Sequence, residues 1–183
     1  MKAKVGVSRR HVHLTKETFN KLFGDIQLEV RNYLGESDQF ASTETVDIKA
    51  NGITIEKFRI VGPFREKDQI EISQSDADMF CVTPPRKMSG DLEGTLPVTI
   101  IGPLGEKEND NGLIMVERHL HMTFQHAEKL GYKQGDKVKV FAGGKEIMQA
   151  VARIEPSSSI ELHIDTDEEE EFNLHNGDEI EIK

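Results

Sequence analysis

One short pattern occurs twice in this chain and constrains its fold more than any other feature. Residues 9–15 read Arg-Arg-His-Val-His-Leu-Thr, and residues 118–123 read Arg-His-Leu-His-Met-Thr. In an extended strand, side chains two positions apart point to the same face. Each copy therefore predicts a strand that aims both imidazoles at one point while its central residue, Val12 or Leu120, points into a core.

The sequence after the pattern is repeated as well. Thr15 and Thr123 each stand where a helix N-cap is expected, and Gly24 and Gly131 each follow the predicted helix as a stop signal. The two copies lie about 108 positions apart. This recurrence predicts two related halves.

Most of the remaining chain consists of short alternating segments and tight turns. Alternation on both sides of Asn51-Gly52 predicts a β-hairpin, residues 27–33 read as a further strand, and residues 35–39 read as a loop. Many short strands with little helix are typical of small barrels. The predicted fold is mainly β, with two small antiparallel β-barrel domains that are capped by short α-helices and related as an internal duplication.

The repeat also suggests a boundary between the halves. We assign residues 1–90 to the first barrel and residues 91–183 to the second, with strand exchange between the halves left open. The metal site is expected between them.

Composition excludes several classes of function. The net charge of −10 argues against a nucleic-acid groove, which needs a basic face. Cys81 is the only cysteine, so an intrachain disulfide is excluded and a reducing compartment is favoured. No stretch approaches the roughly 20 apolar residues of a membrane span. We therefore expect a cytoplasmic protein with no nucleic-acid or membrane partner.

The histidine pairs are the first candidates for chemistry. Neutral imidazole binds transition metals, so two pairs with a third partner suffice for a metal site. His163 and Glu71 lie in predicted strands and could add ligands, although each alone is also typical of a solvated strand position. Arg65 and Arg153 could clamp an anion, because guanidinium matches phosphate bidentately, but the pattern around each one alone favours a surface charge.

The sequence resembles the PduL-type phosphotransacylases (phosphate propanoyltransferases). The resemblance runs from Val5 to Ile182 and is carried by four segments together: residues 5–14, residues 62–73 with Gly-Pro-Phe-Arg and Gln-Ile-Glu-Ile-Ser, residues 118–123, and residues 161–168.

The resemblance implies a fold of two β-barrels and a reversible reaction in which a propanoyl or acetyl group passes between coenzyme A and inorganic phosphate, giving acyl phosphate. It further implies two zinc ions per chain. His11 and His13 would hold one ion, His119, His121 and His163 the other, with Glu71 nearby. It also implies that Arg65 is the catalytic residue and that this arginine binds phosphate with help from Ser89 and Arg153.

The chain departs from the family pattern at Arg9, where Asn is usual, and at Lys87-Met88, ahead of Ser89. Microcompartment members carry an extra N-terminal segment that is not seen here, which favours a free cytoplasmic enzyme. Two alternatives stay open from the residues alone: a cupin-like mononuclear metal oxygenase and a non-catalytic metal-binding module. The sequence does not fix the oligomeric state, and a homodimer or a higher homo-oligomer is compatible with it.

Overall fold

The computed structural model describes residues 1–34, 38–156 and 160–183, so the predicted loop at 35–39 lies partly outside the described residues. The helices are α1 (Lys16–Phe23), α2 (Gln74–Phe80), α3 (Phe124–Leu130) and α4 (Thr166–Phe172). The strands are β1 (Lys2–Ser8), β2 (His11–His13), β3 (Val30–Tyr33), β4 (Phe40–Ala50), β5 (Ile53–Gly62), β6 (Gln69–Ile72), β7 (Arg86–Lys87), β8 (Leu96–Gly102), β9 (Gly105–Val116), β10 (His119–Met122), β11 (Lys137–Ala142), β12 (Lys145–Ile154), β13 (Glu161–Asp165) and β14 (Glu179–Ile182).

The chain divides into two compact units. One comprises Arg10–Val116, which we call the central barrel, and the other comprises Met1–Arg9 with Glu117–Lys183, which we call the terminal barrel. Each has its own hydrophobic core, built around Phe19 and Phe58 in the central barrel and around Leu120 and Leu162 in the terminal barrel. Among the described residues, no helix is both long and apolar enough to cross a membrane.

In the central barrel the strand pairings close a ring. Strand β2 pairs in parallel with β5 and antiparallel with β6, and β6 pairs in parallel with β9. Antiparallel pairs β9–β8, β8–β4 and β4–β5 complete the ring. Strands β3 and β7 extend the sheet beyond this ring by pairing with β4 and β9.

The terminal barrel repeats this ring with the same neighbours and directions. Strand β10 pairs in parallel with β12 and antiparallel with β13, and β13 pairs in parallel with β1. Antiparallel pairs β1–β14, β14–β11 and β11–β12 close it. The predicted fold of two small, related β-barrels with short helices is therefore confirmed. One detail needs correction, because each ring mixes two parallel pairs with four antiparallel ones instead of being wholly antiparallel.

Matching the two rings also shows where each repeat begins. β1 precedes the first His-x-His strand yet lies in the terminal barrel, and β9 precedes the second yet lies in the central barrel. The first strand of each repeat is thus exchanged into the ring of the other repeat. The compact units therefore differ from a division of the chain into two consecutive halves, and residues 90 and 91 both lie inside the central barrel.

The predicted local signals around each His-x-His strand are confirmed. The Thr15 hydroxyl accepts a hydrogen bond from Thr18 N at the start of α1, and Thr123 does the same for His126 N at the start of α3. The Asn51-Gly52 turn joins β4 to β5. The strand predicted at 27–33 is shorter than expected, since only Val30–Tyr33 pairs with β4.

Helix α2 follows β6 in the central barrel, and helix α4 follows β13 in the terminal barrel. Both helices are anchored in the same way. α2 and α4 each begin with a capping box, from Ser73 and Asp76 in one and from Asp165 and Glu168 in the other. The arginine before each His-x-His strand then reaches this box: Arg10 pairs with Asp76 at 2.9 Å, and Arg118 pairs with Glu168 at 3.2 Å. The repeated arginine is therefore a structural link within each barrel.

Candidate metal centres

The first His-x-His strand places its side chains as the alternation predicts. Val12 is fully buried in the core of the central barrel, while His11 and His13 share the opposite face. The neighbouring strand β6 runs antiparallel, with Glu71 opposite His11 and Gln69 opposite His13. Strand register thus adds a carboxylate to the two imidazoles.

These three side chains form a compact group, which we call the two-histidine cluster (His11, His13, Glu71). The Nε2 atoms of the histidines are 3.2 Å apart, and the Glu71 carboxylate oxygens lie 3.3 Å from His11 Nε2 and 3.5 Å from His13 Nε2. Their ligand atoms all lie within 4.8 Å of one another. This is the donor set of two imidazoles and one carboxylate that suits a transition metal.

A polar network supports the carboxylate of this cluster. Glu71 Oε1 accepts from the Gln69 amide at 2.5 Å and from the Ser89 hydroxyl at 2.8 Å. Arg65 Nη1 donates to Ser89 Oγ at 2.9 Å, and Gly90 N donates to Gln69 Oε1 at 2.8 Å. The network therefore joins Arg65 to the cluster through one hydroxyl group.

Electrostatics keep this cluster in the form that binds a cation. Burial lowers the pKa of His13 to about 4, so the ring is neutral near pH 7. Burial alone would raise the pKa of Glu71, but the nearby histidines and the Ser89 hydrogen bond hold it below its ordinary value. The cluster thus presents a carboxylate and a neutral imidazole.

The second His-x-His strand builds an equivalent group, the three-histidine cluster (His119, His121, His163). Leu120 is fully buried, and His119 stands opposite His163 across the β10–β13 pair. His119 Nε2 and His121 Nε2 are 3.0 Å apart, and His121 Nε2 is 3.3 Å from His163 Nδ1. In the matched rings, His163 takes the place that Glu71 has in the central barrel.

Each imidazole of this cluster has an oxygen acceptor behind it. His119 Nδ1 faces the Glu117 carbonyl oxygen at 2.9 Å, and His121 Nδ1 faces a Glu155 carboxylate oxygen. His163 Nε2 lies 3.4 Å from Glu161 Oε1. Acceptors of this kind hold the ring proton on the outer nitrogen and leave the inner nitrogen as a ligand.

Whether these residues fit a metal ion depends on which ring nitrogen carries the proton. Because carbonyl and carboxylate oxygens only accept, the single proton of neutral His119 or His121 lies on Nδ1, and both Nε2 lone pairs face each other. Burial lowers the pKa of both rings to about 3, so neither ring carries a second proton at neutral pH. The converging lone pairs repel one another unless a cation lies among them, so the residues fit a metal ion.

The structure places every predicted site residue in one of two groups, each within its own barrel. In the central barrel His11, His13, Glu71, Arg65 and Ser89 form one connected group. In the terminal barrel the three histidines lie beside Arg153, which stands opposite His121 across the β10–β12 pair. The assignment of metal-binding and phosphate-binding roles to them stays a prediction.

Three supporting residues were missed by the sequence reasoning: Gln69, Glu155 and Glu161. Each lies two positions from a candidate site residue, in the pairs Gln69-x-Glu71, Arg153-x-Glu155 and Glu161-x-His163. Alternation on a strand puts both members of such a pair on one face. That spacing was the signal available in the sequence.

Comparison with known proteins gives a consistent result. A family profile described as phosphate propanoyltransferase matches residues 4–175. The chain is 38% identical to a phosphate propanoyltransferase of Rhodopseudomonas palustris over 97% of this chain and 80% of that protein. It is 41% identical to a phosphate propanoyltransferase of Thermotoga maritima over 95% of this chain and 85% of that protein. It is 39% identical to one of Escherichia fergusonii over 90% of this chain and 80% of that protein.

Proposed function

Since the chain belongs to the phosphate propanoyltransferase family, we propose that it is a phosphate acyltransferase that passes a propanoyl or acetyl group between coenzyme A and inorganic phosphate. The reaction is reversible and yields acyl phosphate and free coenzyme A. The observation that supports it most directly is the contact chain in which Arg65 reaches Glu71 through Ser89, because it puts an anion-binding group beside a candidate metal cluster.

Two zinc ions per chain are proposed, one in each cluster. The two-histidine cluster would hold its ion with one carboxylate and two imidazoles, and the three-histidine cluster with imidazoles alone. Both donor sets are typical of catalytic zinc sites that keep a position open for a small ligand. When bound, zinc supplies Lewis acidity that polarises a thioester carbonyl and stabilises a leaving thiolate.

The arginines have the chemistry for the phosphate substrate. Arg65 and Arg153 carry fixed positive charge in a planar donor set that matches phosphate oxygens. Ser89 Oγ holds the Arg65 side chain and donates to Glu71, so the hydroxyl fixes the orientation of that guanidinium. Orienting phosphate against a bound thioester lowers the barrier by proximity and by charge stabilisation.

The proposed reaction transfers the acyl group directly to phosphate without an acyl-enzyme. Cys81, the only cysteine, is exposed and forms the left-handed C-cap of α2. Its backbone nitrogen caps the helix by donating to Asp78 O at 3.0 Å. This is the setting of a helix end, so the thiol has no assigned role.

The alternative functions receive no support from the comparisons, because the relatives reported above are all named as transferases. The cupin-like prediction also requires a mononuclear site, whereas the described residues include two candidate clusters. The cytoplasmic location and the oligomeric state stay predictions.

The function is tested by following coenzyme A release with a thiol reagent. Zinc-loaded protein is supplied with propanoyl-CoA or acetyl-CoA, with and without inorganic phosphate. Release that depends on phosphate is the expected result, and the absence of such release would refute the transferase assignment. Comparing turnover of the two thioesters then fixes the acyl preference.

A matched pair of variants tests the role of Arg65. Arg65→Ala is expected to raise the phosphate KM by about 10- to 100-fold, which corresponds to the 1.5–3 kcal/mol of a hydrogen bond to a charged group. Zinc content should be unchanged. Arg31→Ala, on the exposed strand β3, serves as the control. Loss of zinc from Arg65→Ala would assign this arginine a structural role instead.

A further inference from the structure

Glu155 contacts two candidate site residues with one carboxylate. Its Oε1 faces His121 Nδ1, and its Oε2 accepts from Arg153 Nε at 3.1 Å. One of these partners is a candidate metal ligand and the other a candidate phosphate-binding residue. The side chain is 33% exposed, so it stands at the edge of the cluster.

The backbone of the terminal barrel fixes this position. Glu155 N donates to Met122 O at 3.1 Å, which extends the β10–β12 pairing one residue past the end of β12. His121 lies opposite Arg153 in that pairing. Because side chains alternate along a strand, Arg153 and Glu155 share the face that His121 also occupies.

A carboxylate is the side chain that can serve both partners. Its two oxygens only accept hydrogen bonds, so one can hold the His121 proton at Nδ1 while the other holds the Arg153 Nε–H group. The first contact directs the Nε2 lone pair of His121 into the cluster. The second contact fixes the plane of the guanidinium before any anion binds.

We propose that Glu155 is a positioning residue that couples metal binding at His121 to phosphate binding at Arg153. The metal-binding part rests on the geometry of the three-histidine cluster, and the phosphate part rests on the proposed function. The coupling predicts that removing the Glu155 carboxylate weakens both kinds of binding.

The chain offers a matched control in Glu161. It is also a glutamate at the three-histidine cluster, with Oε1 3.4 Å from His163 Nε2. Its ion pair is with His163, whereas the ion pairs of Glu155 include Arg153. Replacing either glutamate removes one negative charge near the cluster, so the general effect of charge on phosphate binding is the same in both variants.

The experiment compares Glu155→Ala and Glu161→Ala in the full chain. Zinc affinity is measured by competition with a chromogenic chelator in a His13→Ala background, so that the three-histidine cluster is titrated alone. Both variants are expected to lose about tenfold in zinc affinity, as is usual when an acceptor behind a ligand histidine is removed. In the parent background at saturating zinc, only Glu155→Ala is expected to raise the phosphate KM, by about tenfold, with the propanoyl-CoA KM unchanged.

Equal phosphate KM values in the two variants would overturn the coupling, and unchanged zinc affinity in Glu155→Ala would overturn the role at His121. Glu155→Gln keeps the shape with a single acceptor oxygen, so it should weaken at least one kind of binding, and wild-type values for both would also overturn the proposal. If the wild-type protein shows no phosphate-dependent release of coenzyme A, the proposed function fails. The zinc titration then still decides the His121 contact, and calorimetry with inorganic phosphate decides the Arg153 contact.

Discussion

Gly6 offers a direct test of how closely the terminal barrel holds its three-histidine cluster. It lies on β1 opposite His163 in the parallel β1–β13 pair. A Cβ at this position would lie 2.3 Å from Glu161 Oε1, 2.8 Å from His163 Cδ2 and 3.0 Å from His163 Nε2. The strand backbone at Gly6 is extended, so Gly6→Ala adds crowding without backbone strain.

The expected loss of zinc affinity in Gly6→Ala follows from these distances. Glu161 can swing away at its flexible end, but the His163 ring must move by about 0.6 Å before its Cδ2 reaches the ordinary contact distance of about 3.4 Å. Metal–ligand distances in established sites lie within about 0.2 Å of their standard values. We therefore expect zinc affinity at the three-histidine cluster to fall at least about tenfold, which corresponds to roughly 1.4 kcal/mol.

Fold stability should fall by about 0–2.5 kcal/mol, so it is measured separately from zinc affinity. Overpacking costs about 1–3 kcal/mol, and replacing a strand glycine with alanine returns about 0.5–1 kcal/mol. Gly102→Ala is the control, since its Cβ would lie 2.6 Å from Leu22 Cβ in the central barrel. That variant should lower the free energy of unfolding while zinc affinity at the three-histidine cluster stays at the wild-type value.

The assay is the chelator competition in the His13→Ala background, together with urea unfolding of each variant. Wild-type zinc affinity in Gly6→Ala would refute the reasoning, because it would mean that the ring can give way without leaving its ligand position. Equal loss of zinc affinity in Gly102→Ala would refute it as well, because the effect would then reflect general destabilisation.

Three further predictions concern charge and protonation. After zinc is removed, the free energy of unfolding should fall between pH 7 and pH 5 by on the order of 1–2 kcal/mol per buried histidine. The folded pKa values of His13, His119 and His121, about 3 to 4, lie below the unfolded value of 6.5. The stability that these neutral rings contribute is therefore present above about pH 6.5 and is lost as the pH falls towards the folded pKa. Urea titrations that give the same free energy of unfolding at pH 7 and pH 5 would contradict this. Glu71→Gln should lower the zinc content by about one ion per chain, measured by atomic absorption against the surface control Glu146→Gln, and a full complement of zinc would show that the carboxylate is not a ligand. Glu168→Ala should lower the free energy of unfolding by about 2 kcal/mol, because this side chain is 5% exposed and serves both the α4 capping box and the ion pair with Arg118; a thermal melt unchanged from wild type would remove that role.

Much of the local structure could be predicted from the sequence because its signals act over a few residues. The Thr15 and Thr123 caps, the Asn51-Gly52 turn and the alternation at Val12 all depend on neighbours in the chain. The long strand β9 was not predicted over its first half, where polar residues follow one another. It forms because β8 pairs with it along most of its length.

The contacts of the residues that support the clusters likewise depend on strand pairing, which local signals do not determine. The Arg153-x-Glu155 spacing is visible in the sequence, but the contact of Glu155 with His121 becomes identifiable only once β12 lies beside β10. Glu71 and His163 could not be separated from solvated strand positions by alternation alone. In the structure they occupy equivalent places beside the His-x-His strands of the two barrels.

The sequence by itself determined that two His-x-His strands would exist and that each would bury its central residue, because a strand alternates its side chains whatever it pairs with. It also determined the repeat, since each copy carries its own cap and helix stop. Only the tertiary structure decided which strands pair, and therefore that β1 and β9 each belong to the barrel of the other repeat. Pairing brings together residues far apart in the chain, such as Gly6 with His163 and His11 with Glu71, and no local pattern encodes such a contact.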